Sequence, residues 1–353
     1  MAAESIFVGN PALSYPRLDV SIQAQTYVRD QFWPDSETSL TEYVSYFRYF
    51  RWAIETVLWP NTAAETALLA TQTYKDLATV VRYLEDNNDK SRTEIADGLH
   101  SFFPQSPRTS ILRSMDLAVR LWMMLHLRST ENPIGPQLAD VAAVEWKPKQ
   151  SLRNLVASVF PKSKRGAAGS SRYGTNISID FTIMNIRRLC RIEVAWTQNL
   201  RDHLKFDPSG RVLYIYPHKV CLISHLEQGK PYPKDFLLES LRTLDLLFPY
   251  GDKSTEDWLE KNNQPFHRTS SSHVQVRARN LDEFRYWNRQ LSELYFVFLQ
   301  PPTTVSQMWY DRRNPIQWYT FWLAAVIAVL TVLFGSLGTY IGFKQIELAQ
   351  KSM

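Results

Sequence analysis

From Asn314 to Phe343 the chain carries no charged side chain, and Asp311-Arg312-Arg313 stand just ahead of that run. A helix crossing the hydrocarbon of a bilayer needs roughly 20 consecutive, mostly apolar residues. Trp318-Tyr319-Thr320-Phe321-Trp322, leading into Leu323 through Phe334, satisfies that requirement. The residues predict one transmembrane helix over 316–343 and a short tail over 344–353. Such a chain must divide itself between lipid and water, which constrains how everything before residue 314 folds.

The sequence has 353 residues, room for two compact units ahead of the span. Apolar residues at 44% and charged residues at 21% suit a buried core and argue against a disordered chain. Aromatics at 13% serve the membrane interface and a filled interior. The two cysteines, Cys190 and Cys221, do not make a disulfide framework and point to a reduced setting. The N-terminal Met1 to Phe7 stretch lacks the basic and apolar regions of a secretory signal. Lys344, Glu347 and Lys351 follow the apolar run, which disfavours a GPI signal. Arg312 and Arg313 on one flank nearly balance Lys344 and Lys351 on the other. The missing leader then decides the orientation: a single-pass, tail-anchored protein with its bulk in the cytosol. On that topology the sequon Asn176-Ile177-Ser178 carries no glycan.

Residues 1–35, with Pro11, Pro16 and Pro34, read as an extended arm. Residues 36–130 read as a helical domain. Ser39-x-x-Glu42 and Ser91-x-x-Glu94 have capping-box spacing, as does Thr62-x-x-Glu65 ahead of a helix through Leu84. A further helix is expected over Ser110 to Arg128. Residues 140–228 read as an α+β unit. In it Val144 to Lys147 is a short strand and Ser151 to Phe160 an amphipathic helix. Phe181 to Cys190 is a helix, and Arg191 to Trp196 and Val212 to Tyr216 are strands. Asp207-Pro208-Ser209-Gly210 is a turn. That order is compatible with a winged-helix-like module. Residues 232–313 read as a helical segment, with helices over Lys234 to Phe248 and Leu281 to Leu299. The expected fold is mainly α, with a small β element near 191–226 and one C-terminal transmembrane helix.

Several segments carry a resemblance. Trp309-Tyr310-Asp311-Arg312-Arg313-Asn314 runs into Gln317-Trp318-Tyr319-Thr320-Phe321-Trp322 and Leu330 to Gly335. Glu239 to Pro249, Leu200-Arg201-Asp202-His203-Leu204 and Ala118-Val119-Arg120-Leu121-Trp122 belong with them. Together these resemble an uncharacterised family of filamentous-fungal (ascomycete) membrane proteins, over roughly residues 110 to 340. The resemblance implies the C-terminal span and carries no catalytic residue over.

Three patterns are candidates for function. Inside the span, Ala324, Ala328, Thr331, Gly335, Gly338 and Gly342 recur at four- and three-residue steps, and Gly338-x-x-x-Gly342 has the spacing that lets helix backbones approach in lipid. This stripe would pair with a second copy or another membrane protein; the plainer account is that Gly and Ala are common in spans. A basic run holds Lys147, Lys149, Arg153, Lys162, Lys164, Arg165 and Arg172 with no acid between Trp146 and Ile179. With the amphipathic 151–160 segment it would touch the parent membrane; the plainer account is a core helix followed by a solvated loop. Arg187, Arg188 and Arg191 on a winged-helix third helix would suit phosphate contacts, but a membrane tether disfavours nucleic acid as a partner.

His218, Cys221 and His225 would share a helix face as metal ligands, with His203 or Cys190 to complete a set. Scattered core residues are the commoner meaning of such spacing. Gly166 to Gly174 lacks the lysine of a phosphate loop, since Thr175 follows. No motif implies a cofactor, and none marks catalytic residues. The leading expectation is a non-enzymatic scaffold or interaction module bound to a lipid bilayer and self-associating through its span. The alternatives are an enzyme with a site near Asp202, His203 and His218, or a regulatory winged-helix module.

Overall fold

The computed structural model describes residues 21–58, 69–128, 143–163, 176–262, 277–301 and 315–351. Local sequence signals account for most helix starts. Ser21 caps α1 (Ile22–Phe32) by accepting from the Ala24 N–H at 3.2 Å, and the helix buries Ala24, Val28 and Phe32 at four-residue steps. This corrects the expected extended arm for residues 22–32; the first twenty residues lie outside the described ones. The Ser39–Glu42 spacing makes no capping box. Ser39 opens a 3-10 turn over Leu40–Tyr43 without a side-chain cap, and its hydroxyl pairs with Thr41 instead. α2 (Val44–Leu58) then buries Tyr46, Phe47, Tyr49, Phe50, Ala53 and Ile54.

The helix expected to run from Thr62 through Leu84 is not continuous. Thr73 and Asp76 exchange hydrogen bonds in a true capping box at the start of α3 (Tyr74–Asp86), while residues 69–73 are not helical; the Thr62–Glu65 spacing lies outside the described residues. Ser91 and Glu94 do form the box expected of them, opening α4 (Arg92–Leu99). α5 (Arg108–Trp122) stops six residues short of Arg128, because Met124 turns left-handed at φ 55°. The chain then runs extended, and Leu127 makes a single parallel bridge to Val144. That bridge is all that exists of the strand expected at Val144.

Ser151 caps α6 (Leu152–Val159), and Thr182 caps α7 (Ile183–Cys190), which Arg191 closes in the left-handed conformation. β1 (Glu193–Trp196), β2 (Phe206–Asp207) and β3 (Val212–Ile215) form a small sheet in the order β1-β3-β2. β1 runs parallel to β3, with Glu193 beside Val212, and β2 runs antiparallel, with Phe206 beside Leu213. The Asp207 carboxylate accepts from the Ser209 and Gly210 N–H groups, making the predicted turn between β2 and β3. The winged-helix-like order is met only in its later part, because the Val144 segment stays outside this sheet.

α8 (Lys219–Gln228) and α9 (Lys234–Leu247) pack against each other, and α10 (Lys253–Lys261) follows. The long helix expected over Leu281 to Leu299 is divided into a 3-10 turn, Leu281–Glu283, and α11 (Asn288–Leu299). The cause is Glu239 of α9. Its buried carboxylate accepts the N–H groups of Arg285, Tyr286 and Trp287, each at 2.7 Å, and so holds the backbone ahead of α11 out of helix. One continuous hydrophobic core draws on residues from Ala24 to Phe298. The last element is α12 (Pro315–Lys351).

Candidate functional site

α12 has 37 residues without a break, so it is about 55 Å long. Its apolar stretch, Trp318–Ile346, is long and apolar enough to cross a membrane, and none of that stretch is buried. The 29 residues span about 43 Å, more than the roughly 30 Å of hydrocarbon. The excess falls at the ends. Trp318, Tyr319 and Trp322 crowd one end in ring contact, and at the other Lys344 lies 5.7 Å from the Tyr340 ring. Both groupings suit headgroup depth. Polar side chains inside the span bond their own helix: the Thr331 hydroxyl donates to Ile327 O and that of Thr339 to Gly335 O, both at 2.8 Å.

At 100° per residue, Ala324, Ala328, Thr331, Gly335, Gly338 and Gly342 fall within an arc of about 80° on α12. A Cβ added at Gly335, Gly338 or Gly342 would meet nothing within 4 Å. The glycines are therefore not required by packing within the chain, and the stripe is an open, shallow face.

The basic run is not a uniform cationic patch. Lys147 and Lys149 are exposed, but Arg153 pairs with Asp89 at 3.0 Å and Lys162 pairs with Asp235. Lys164, Arg165 and Arg172 lie outside the described residues, as does the Gly166 to Gly174 loop. The adjoining amphipathic segment faces inward: α6 buries Leu152, Leu155 and Val156, which removes the apolar side needed for a membrane contact there. Arg187 lies 4.6 Å from the Trp258 ring centroid and is part of the packing.

His218, Cys221 and His225 do share a face of α8, but it points into the core. Among the described residues no three of His, Cys, Asp and Glu are placed to hold a metal ion. His218 Nε2 meets the Gln198 side-chain oxygen, and its ring packs against Tyr46, Tyr49 and Tyr216. His225 lies between the backbone carbonyls of Trp122, at 2.9 Å from Nε2, and Lys230, at 3.2 Å from Nδ1. Cys221 is buried and in no disulfide, and burial pushes its thiol well up, which disfavours the thiolate that a nucleophile or metal ligand needs.

Asp202, His203 and His218 are all buried, and each ends on a different neighbour. Asp202 accepts from the Asn199 amide at 2.9 Å. His203 Nδ1 accepts the Tyr216 N–H at 3.2 Å, so its Nε2–H donates to the Thr243 hydroxyl at 2.8 Å, and Thr243 donates on to Ser240 O at 2.6 Å. That fixes a neutral tautomer with both nitrogens used. Burial pushes His126, His203 and His218 down to about 3 and His225 down to about 4; at His126 the Arg120 charge adds to the effect. Burial therefore favours the neutral form of all four at pH 7.

Sequence reasoning missed the feature with the sharpest electrostatics. Among the described residues several buried charges meet compensating partners. Asp116 meets Arg92 through two contacts at 2.7 and 2.8 Å, Lys219 meets Asp245 at 2.9 Å, and Glu239 has its three N–H donors. Arg120, in the last turn of α5, is 8% exposed and has no carboxylate within ion-pair distance among the described residues. Its guanidinium donates to the Tyr49 hydroxyl, its Nε has no partner, and its charge lies 5.5 Å from the Trp52 ring. An unpaired buried cation costs several kcal/mol even after relaxation. The helix C-terminus and the indole face return about 1–2 kcal/mol each. The signal was present in Ala118-Val119-Arg120-Leu121-Trp122: an arginine in a helix turn that is apolar all round needs a partner. No protein-family model, no curated protein and no solved structure matches this chain.

Proposed function

We propose that this chain is a tail-anchored, single-pass membrane protein. Its helical body stands on the cytosolic side as a non-enzymatic scaffold or interaction module, and the small-residue face of α12 pairs with a second copy. The observation that carries the reading is α12 itself: an uninterrupted apolar helix none of whose 318–346 stretch is buried. In water that surface would drive aggregation, whereas in lipid it needs no cover. Two further features support the reading. Both cysteines are buried and neither is in a disulfide, in keeping with a reducing compartment. The chemistry-bearing side chains near Asp202, His203 and His218 are used within the fold.

Two experiments test the proposal. Asn176 is exposed, so the sequon would be open to glycosylation in a lumen. On this reading, N-glycosidase treatment of the protein from eukaryotic membranes leaves its mobility unchanged; a downward shift would put the body in the lumen. Crosslinking in membranes should give a dimer that Gly338→Leu reduces several-fold, and undiminished crosslinks in that variant would remove the pairing face.

A further inference from the structure

We infer that the end of the body from which the chain leaves for α12 is a second membrane contact: Ile179, Tyr250 and Leu299 enter the headgroup region of the bilayer, a contact that presupposes α12 as the span. Two tight turns and a helix end build this face. In Pro249-Tyr250-Gly251-Asp252 the Asp252 N–H donates to Pro249 O at 3.3 Å, and Gly251 supplies the positive φ of 80° that such a turn requires. Tyr250 is left at the tip, 91% exposed. In Ser178-Ile179-Asp180-Phe181 the Phe181 N–H donates to Ser178 O at 3.1 Å. Ile177 and Phe181 turn inward, and Ile179 between them is 65% exposed. Arg277 ties the two turns together. Its guanidinium donates to Ile179 O at 2.7 Å, to Phe181 O at 2.8 Å and to Leu246 O at 2.7 Å, and Leu246 stands four residues ahead of Tyr250. Leu299, the exposed last residue of α11, adjoins Phe298, whose ring lies 5.2 Å from that of Phe181. Single exposed apolar side chains are ordinary, but here three are gathered on fixed backbone.

Chain path and charge select lipid as the partner. Among the described residues of the body, no exposed large apolar side chain stands nearer to α12 along the chain than Leu299. Leu299 and Pro315 are 16 positions apart, which bounds their separation at about 55 Å. Once α12 is in lipid, contact by this face is intramolecular, so three side chains too few to hold a soluble protein suffice. The charges around the face balance. Arg277 and Arg279 act beside Asp180 and Asp252, and Lys253 and Glu256 add one of each sign. A balanced surface gains nothing from anionic lipid and has no pull on an acidic partner. A tyrosine ring and two aliphatic tips instead suit the boundary where one end is apolar and the other wet.

The experiment uses the full chain, labelled with an environment-sensitive fluorophore through Tyr250→Cys or Ile179→Cys and reconstituted into phosphatidylcholine vesicles. Both side chains are exposed, so the substitutions spare the core, and Cys190 and Cys221 are buried, so the introduced thiol takes the label. Phe102→Cys, at an exposed position between α4 and α5, is the comparison. Labels at 250 and 179 should shift to the blue and lose most of their emission to a lipid spin-labelled near its headgroup, while the label at 102 keeps its emission. Diluting the protein in lipid should leave these signals unchanged. The proposal is overturned if the labels at 250 and 179 stay in water while the chain floats with the vesicles, or if the label at 102 is quenched as strongly. Loss of the signal on dilution would mean that a second copy covers the face, and overturns it. A signal that needs phosphatidylserine overturns it as well. A chain that does not float with the vesicles overturns the span, and this face with it.

Discussion

Lowering the pH from 7.5 to 5 should bring the body close to unfolding, through four side chains. His126, His203, His218 and His225 are buried and neutral, held at about 3 for the first three and about 4 for the last. In the unfolded chain each returns to about 6.5. The folded values are depressed, so between about 6.5 and the folded values the unfolded chain binds more protons and stability falls with pH. Each histidine's contribution is present in full above about 6.5. At pH 5 each has lost about 2 kcal/mol, or about 8 kcal/mol for four. Asp116 acts in the opposite direction. Burial pushes it up to about 6 in spite of Arg92, so ionisation penalises the fold above that pH and acidification returns about 1 kcal/mol. The net loss, about 7 kcal/mol, is comparable with the whole stability of a domain. The assay is urea unfolding in non-ionic detergent, read by the fluorescence of the buried Trp33, Trp122, Trp146 and Trp287. The midpoint should drop steeply between pH 6.5 and 5. His203→Gln should remove about a quarter of the pH dependence while costing stability at pH 7.5. Equal midpoints at pH 7.5 and 5 would refute neutral, buried imidazoles.

Other perturbations follow from the same accounting of buried polar groups. Glu239→Ala orphans the N–H groups of Arg285, Tyr286 and Trp287; it should cost about 3 kcal/mol or more and speed amide exchange at the start of α11, measured by hydrogen–deuterium exchange. Arg92→Met strands the Asp116 carboxyl and removes the contact to Trp146 O; thermal unfolding should show a loss of about 3–5 kcal/mol, and Arg92→Met with Asp116→Leu should recover much of it. Ser91→Ala should cost about 1 kcal/mol through loss of the α4 cap, a small effect that checks the scale of the others.

How much of this was legible in the sequence depends on whether the deciding contact is local. The long apolar C-terminal helix, the Ser91–Glu94 box, the Asp207 turn and helices α6, α7 and α9 are set by residues a few positions apart, and they appear as read, except that the C-terminal helix continues to Lys351 through the expected tail. The failures involve distant partners. Glu239 interrupts the 281–299 helix from 46 residues away, beyond any periodicity argument. The Ser39–Glu42 spacing fits a capping box, yet Tyr43 is drawn inward, where its hydroxyl meets Ser224 at 2.5 Å, and the segment closes as a 3-10 turn. α1 was hidden because Ala24, Val28 and Phe32 are a thin stripe among polar residues. For the site, spacing correctly put His218, Cys221 and His225 on one face but could not say that aromatic rings fill the space before it. Arg120 was visible as a charge in an apolar turn, but that no carboxylate among the described residues meets it is a fact of tertiary structure.

The account depends most on how the surface of α12 is covered. Sodium carbonate extraction at high pH tests it directly when the native chain is compared with Val329→Arg, a charge placed near the middle of the span. The native protein should stay with the membrane pellet, and the variant should move at least in part to the supernatant. Release of the native chain into the supernatant would mean that something other than lipid covers that helix, and would contradict the account.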